Sequence, residues 1–178
     1  EGVWNKEGGR SLSELTIGII GLGYIGKSVA RLLKGFGSRI LANDVLDIDE
    51  YCQKNNLVCA SKEKIFRECD IVTLHTPLTP ETKYLIDKDT MSQMKNSAYL
   101  VNTSRGPCVH LVDLVAALDK GEISGAAIDV FDPEPPQDQA LISHPRLIAT
   151  PHTSGNSQSA ILAMGRSAIN SLSRFFVD

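Results

Sequence analysis

The sequence predicts an α/β fold, a single domain built on a doubly wound parallel sheet of about seven strands. Three observations carry that expectation. Short apolar runs closed by glycine, proline or a polar turn recur along the chain. Stretches with helical spacing separate most of them. The first apolar run passes directly into a G-x-G-x-x-G turn.

That first run, residues 16–20, is read as a strand, and Gly21-Leu22-Gly23-Tyr24-Ile25-Gly26 follows it without a gap. In such a turn Gly21 permits the tight reversal, Gly23 lets a pyrophosphate approach the backbone, and Gly26 lets the next helix pack closely on the strand. The free N–H groups and dipole at the helix start attract phosphates. Residues 24–34 have helical spacing, with Ile25, Val29, Leu32 and Leu33 on one face, and Gly35 and Gly37 act as stop signals. Residues 39–44 form the second strand and end at Asp44, placed to hold the adenosine ribose hydroxyls. This is the Rossmann-type arrangement. An acid at 44 repels a 2′-phosphate and no arginine follows in Val45-Leu46-Asp47, so NAD is expected rather than NADP.

Residues 57–60 read as a short third strand and 62–69 as a helix with Ile65 and Phe66 facing inward. A fourth strand, 70–75, stops at Thr76-Pro77, and Pro77 and Pro80 impose an irregular loop before a helical stretch around 87–94. The fifth strand, 98–102, leads into Thr103-Ser104-Arg105-Gly106-Pro107 and a helix over 111–120 closed by Gly121. The sixth, 125–130, enters the proline-rich loop 132–136, and the seventh, 146–150, reaches Pro151-His152. A last helix over about 157–176 places Ile161, Met164, Ala168 and Leu172 at helical spacing. Residues 1–13, polar around the single Trp4, break the alternation and read as a leading linker, leaving 14–178 as the domain.

With 178 residues, of which 42% are hydrophobic, the chain is long enough for one well-buried domain. A net charge of −3 leaves no electrostatic footprint for nucleic acid or an anionic membrane. The apolar runs are short and interrupted, so no bilayer span is expected. Cys52, Cys59, Cys69 and Cys108 form no C-x-x-C pair and lack matching histidine spacing, which argues against both a metal site and a disulfide framework. Free thiols and a cytoplasmic location are the plain expectation.

Ligands bind an open parallel sheet beyond the carboxyl ends of its strands. By this reading the polar candidates share one rim: Asp44 after the second strand, His75 after the fourth, Arg105 after the fifth, Asp129 and Glu134 after the sixth, and His152 after the seventh. Arg105 could grip a carboxylate bidentately, or be a solvated turn residue. His152 could donate a proton to a carbonyl oxygen, or cap the last helix. Glu134 could hold its carboxylate against that imidazole, or be an ordinary loop acid. Asp129 needs a partner, either a nicotinamide amide or a loop or helix to cap. His75 and Pro77 could only wall the adenosine or pyrophosphate side, while His110 and His144 read as solvated or turn residues.

Five ordered segments give the chain a recognisable likeness. They are the glycine turn at 21–26, Leu74-His75-Thr76-Pro77-Leu78-Thr79-Pro80-Glu81-Thr82, Val101-Asn102-Thr103-Ser104-Arg105-Gly106, Gly125-Ala126-Ala127-Ile128-Asp129-Val130-Phe131 through Glu134-Pro135, and Pro151-His152. Over roughly residues 10–178 the chain resembles the cofactor domain of the D-isomer-specific 2-hydroxyacid dehydrogenases. The resemblance implies an oxidoreductase interconverting a 2-hydroxy acid and a 2-oxo acid, with Arg105 on the substrate carboxylate, His152 as proton exchanger and Glu134 as its acidic partner. It assigns cofactor positions to Gly21, Gly23, Tyr24, Ile25, Gly26 and Asp44 and, near the nicotinamide, to Thr103, Asp129 and Gly155; His75, Pro77 and Thr82 after the fourth strand are further cofactor-binding candidates. It implies a homodimer, and a second, smaller substrate domain that this chain lacks, so that the chain alone is expected to bind NAD and turn over poorly. Where the family usually continues after the histidine as x-Gly-Gly, this chain reads Thr153-Ser154-Gly155. An NAD(H)-sensing, corepressor-like module on the same scaffold is the alternative.

Overall fold

Seven parallel strands lie in the order β3-β2-β1-β4-β5-β6-β7, so the chain reverses its direction of travel across the sheet between β1 and β4. The computed structural model describes residues 8–177, and Trp4 with the first seven residues of the expected linker lies outside them. The strands are β1 (Thr16–Ile20), β2 (Arg39–Asn43), β3 (Val58–Cys59), β4 (Ile71–Leu74), β5 (Tyr99–Asn102), β6 (Gly125–Ile128) and β7 (Leu147–Ala149). Between and after them run α1 (Tyr24–Gly35), α2 (Asp49–Asn55), α3 (Lys62–Glu68), α4 (Lys88–Met91), α5 (Leu111–Lys120), α6 (Gln139–Ile142) and α7 (Gln158–Val177).

Strand alternation divides the interior in two. Ile19, Ile40 and Ala42 point to a cluster with Ala30 of α1, Cys52 of α2 and Leu57. Their neighbours Ile20 and Leu41 point the other way, to a larger cluster with Ile65, Met91, Leu100 and Leu114. Both faces of the sheet are therefore covered, as an all-parallel sheet requires. The register pairs Ile20 with Asn43 and Leu74, Leu74 with Asn102, Asn102 with Ile128, and Ile128 with Ala149. Strand exits thus line up on one edge, where the site lies.

Several expectations need correction. Ile25 and Leu32 are 63% and 65% exposed, whereas Gly26 and Ala30 are buried and Val29 and Leu33 partly so; α1 meets the sheet along its small residues, not along its most apolar stripe. Helices α2 and α6 were not expected, and Leu57 and Ala60 flank β3 instead of belonging to it. His144 is a turn residue but not a solvated one: its side chain is 9% exposed, bonded to Asp119 and accepting from Arg146 N. Helix α7 forms where expected, yet Ile161, Met164 and Leu172 stay more than half exposed, and among the described residues none after Leu147 enters either cluster.

The lead-in segment is tied down. A one-turn 3₁₀ helix spans Leu12–Glu14, and Arg10 reaches the 7%-exposed Asp70 at the opposite edge of the sheet from the strand exits. Lys95 and Thr16 N reach the same carboxylate, at 3.1 and 2.9 Å. Burial alone raises the Asp70 carboxyl, but the Thr16, Arg10 and Lys95 bonds outweigh it and hold it below the ordinary value. A depressed folded-state value stabilises the protein above the unfolded value and loses that contribution as pH falls through the folded one. Asp70→Asn should therefore unfold at lower denaturant than the native chain at neutral pH, with the gap closing below about pH 4. A gap independent of pH in urea titrations would discard the role.

Candidate active site

One half of the exit edge is assembled by β1, β2 and β4. Gly21 takes φ +94 and a side chain there would meet His75 O at 2.6 Å, so only glycine lets the β1 exit run against the β4 exit. Gly21 N donates to Asn43 O at 2.9 Å and Leu22 N to Asp44 Oδ2 at 2.6 Å, which joins the glycine turn to the acid after β2. The other Asp44 oxygen accepts from Leu46 N at 3.0 Å. Both oxygens keep a lone pair for a ribose diol.

Beyond Gly21 the turn opens outward. A Cβ on Gly23 would meet nothing within 4 Å, while one on Gly26 would strike Gly21 O, which keeps α1 tight against the turn. Tyr24 is 96% exposed beside Gly23. The N–H groups of Gly23, Tyr24 and Ile25 find no backbone acceptor, as at any helix start, and are the kind of donors a diphosphate takes. A bare backbone, an exposed helix N-terminus and an acid bonded to the same turn fit a dinucleotide.

Past β4 the expected residues have differing surroundings. His75 bonds Thr73 Oγ1 at 3.1 Å, and burial pushes its imidazole down, so it is neutral. The Thr82 hydroxyl is spent within its own loop, donating to Pro77 O at 2.7 Å and accepting from Thr79 N at 2.7 Å. Thr103 is half-buried just beyond β5, and Gly155 stands in an exposed turn.

The second half is built by β5, β6 and β7. Asn102, fully buried at the end of β5, organises the Arg105 turn: its Nδ2 donates to Arg105 O at 2.9 Å, and its Oδ1 accepts from Ser104 N and Oγ at 3.0 and 2.7 Å. Its own carbonyl accepts from Asp129 N at 3.0 Å, so β5 and β6 leave the sheet together. Arg105 is exposed, with one guanidinium bond to Ser104 O at 2.6 Å. A Cβ on Gly106 would overlap the Phe131 backbone, which brings the arginine turn against the loop after β6.

In that loop Glu134 bridges two elements, its Oε1 accepting from Phe131 N at 2.9 Å and its Oε2 lying 2.8 Å from His152 Nδ1. The His152 contact, then the Phe131 bond, holds the Glu134 carboxyl below the ordinary value, so it is ionised. A carboxylate only accepts, so Nδ1 carries the proton and Nε2 is left for another partner. His152 does not cap α7; Ser157 does, accepting from Ala160 N at 3.1 Å. A cleft of ≈ 330 Å³ lined by Phe131, Pro135, Ala149 and Pro151 adjoins the pair.

Asp129 finds its partners inside the chain. Its Oδ1 accepts from Thr150 Oγ1 at 2.6 Å and Thr153 N at 2.9 Å; its Oδ2 accepts from Ser154 N at 3.0 Å and Ser154 Oγ at 2.6 Å. Of the two partners considered for it, the loop fills all four acceptor positions, leaving none for a nicotinamide amide. Burial raises its carboxyl, but the Ser154 and Thr150 hydroxyls and the two N–H groups more than reverse that, to about 2.

Sequence reasoning missed Asn102, Ser104 and Thr150 as organisers, and foresaw no bond for Ser154. The one available signal was a bare amide ending an apolar strand at Asn102, since a buried amide must find partners.

A parallel sheet with a glycine turn, an acid bonded to that turn and a histidine–glutamate pair on its exit edge defines a dinucleotide-binding α/β domain. The profile described as D-isomer specific 2-hydroxyacid dehydrogenase, NAD binding domain, matches residues 1–154. D-3-phosphoglycerate dehydrogenase of Bacillus subtilis is 38% identical over 161 residues, covering 89% of this chain and 31% of that protein. Glyoxylate reductase of Korarchaeum cryptofilum is 39% identical over 161 residues, covering 90% of this chain and 48% of that protein. Among solved structures, a D-lactate dehydrogenase from Sporolactobacillus superposes with a TM-score of 0.86 at 36% identity, over 94% of this chain and 54% of that one. The D-lactate dehydrogenase of Aquifex aeolicus, solved with NAD and lactic acid, gives a TM-score of 0.87 at 28% identity, over 97% and 57%. The chain belongs to the D-isomer specific 2-hydroxyacid dehydrogenase family, as its NAD-binding domain, and its cofactor is NAD. It spans between about a third and about half of the length of these relatives. Among the described residues no helix is long and apolar enough to cross a membrane, and no cluster of metal-ligating side chains occurs.

Proposed function

We propose that this chain is the NAD-binding half of a dehydrogenase interconverting a D-2-hydroxy acid and a 2-oxo acid, with Arg105, Glu134 and His152 as its reacting groups. The observation that carries the reading is the 2.8 Å contact between Glu134 and His152 on the same sheet edge as the bond from Leu22 to Asp44.

The turn at 21–26 and Asp44 bind the dinucleotide, with backbone N–H groups on the diphosphate and the carboxylate on the ribose. The cofactor, when bound, would accept a hydride from a hydroxy acid in its oxidised form and supply one to an oxo acid in its reduced form. Arg105, always cationic, takes the substrate carboxylate in its planar fork and orients the reacting carbon. His152 faces the substrate oxygen through Nε2: as imidazolium it gives a proton to the carbonyl oxygen of an oxo acid, and as neutral base it takes one from a hydroxy acid. Glu134 holds the ring by Nδ1, which leaves Nε2 to meet the substrate. We take residues 14–178 as the domain and infer that a second domain is needed to close the site against water, so the chain alone turns over slowly.

Calorimetric titration of the chain with NAD tests the cofactor half, and NADH oxidation by a panel of 2-oxo acids, using the full-length gene product, tests the other. No oxo acid accepted by that product would sink the dehydrogenase reading and favour a sensing module; brisk turnover by these 178 residues alone would sink the need for a second domain. Asp44→Ala removes a ribose acceptor and the anchor of Leu22 N, and should weaken NAD binding between about tenfold and a hundredfold. Unchanged affinity would remove Asp44 from the site.

A further inference from the structure

Asp129 is a buried anion, 4% exposed, and all four of its bonds come from neutral donors. Burying a charge this way is costly unless every acceptor is met, so the arrangement points to a task for the anion. The donors have one thing in common: they lie at 150, 153 and 154, on both sides of His152. His152 N itself donates to Asp129 O at 2.8 Å and to Thr150 O at 3.0 Å. His152 sits at φ +53, in the left-handed region that a non-glycine residue keeps only where its surroundings enforce it.

We propose that the hydroxyls of Ser154 and Thr150 are positioning groups for His152, clasping Asp129 from either side of the histidine so that the loop holds its left-handed turn and Nδ1 stays on Glu134. The proposal deepens, and rests on, the reading of His152 as proton exchanger. The two backbone donors are open to any residues at 153 and 154; the two 2.6 Å hydroxyl bonds depend on side chains and set how firmly the loop is held. A carboxylate suits the task better than an amide. The amide's NH₂ would face the backbone N–H of Thr153 or Ser154, which unlike a hydroxyl cannot turn to accept, and leave it unmet.

The test uses the 178-residue chain with ¹⁵N-labelled histidine and follows solvent exchange of the His152 Hδ1 proton by NMR, with β1 amides as a gauge of global stability. Ser154→Ala and Thr150→Val should each speed Hδ1 exchange by about tenfold while β1 amides are unaffected, and Ser154→Thr should restore slow exchange. Unchanged Hδ1 exchange in both variants, or a rise matched by the β1 amides, overturns the proposal. NAD titration of the same samples reports separately on the cofactor reading. Its failure leaves the imidazole measurement standing.

Discussion

Gly26→Ala should lower the stability of the chain by about 3 kcal/mol, at the upper end of the cost of overpacking. For a chain of this size that is a fall of roughly 6–12 °C in melting temperature. The added methyl has no flexible side chain to push aside, because what it meets is the carbonyl oxygen of Gly21. Relief requires α1 to lift away from β1, which moves the N–H groups of residues 23–25 and breaks the alignment of the turn with Asp44. NAD affinity should fall with stability in the same variant. Gly23→Ala is the control, since a Cβ at 23 meets nothing within 4 Å. It should melt close to the native chain. Calorimetry on the two variants decides the matter: a Gly26→Ala protein with native melting and native NAD binding would show that the close approach is not needed.

His152→Ala should reduce kcat of the complete enzyme by between about 10² and 10⁴, the range for loss of a positioned general acid–base. Its KM for NAD should change little, because the imidazole is bonded to the β6 loop and belongs to the half of the edge away from Asp44. Glu134→Gln should lower kcat less, since the amide oxygen can still accept from Nδ1 while the negative charge is lost. Steady-state kinetics on the full-length product measure both. Unchanged kcat in His152→Ala would discard the proton-exchange assignment.

The sheet was legible because its strands are short apolar runs ending in residues that cannot continue them, and because Gly21 to Gly26 fix where the first strand must turn. What escaped was of two kinds. Hydropathy finds apolar stripes, and so it pointed to Ile25 and Leu32 as the inner face of α1. The close contact with the sheet is made by Gly26 and Ala30, whose value lies in lacking bulk, while Val29 and Leu33 of the expected face pack beside them partly buried. Helix α2 buries only Cys52 and α6 is a single turn without a buried residue, so neither leaves a periodic signal. The site shows the second kind. Glu134 and His152 were readable as a pair because an acid and an imidazole on one rim have an evident use for each other. The partners of Asp129 lie 21 to 25 residues further along the chain, and they reach it because Ile128 pairs with Ala149 across β6 and β7. That register is set by packing and has no counterpart in residue spacing.

The buried amide of Asn102 has a mechanical consequence. It braces the Arg105 turn with its side chain and the Asp129 backbone with its carbonyl, and Asp129 in turn grips the segment that bears His152. The arginine and histidine arms are therefore struts on one pivot, and neither can swing without dragging the other. Native-state hydrogen exchange should find the amides of Ser104, Asp129, Thr153 and Ser154 opening as one cooperative unit, with a common free energy. Separate opening energies for 104 and 153 would mean two hinges. A stiff frame of this kind would let a closing second domain meet both groups already at their working separation.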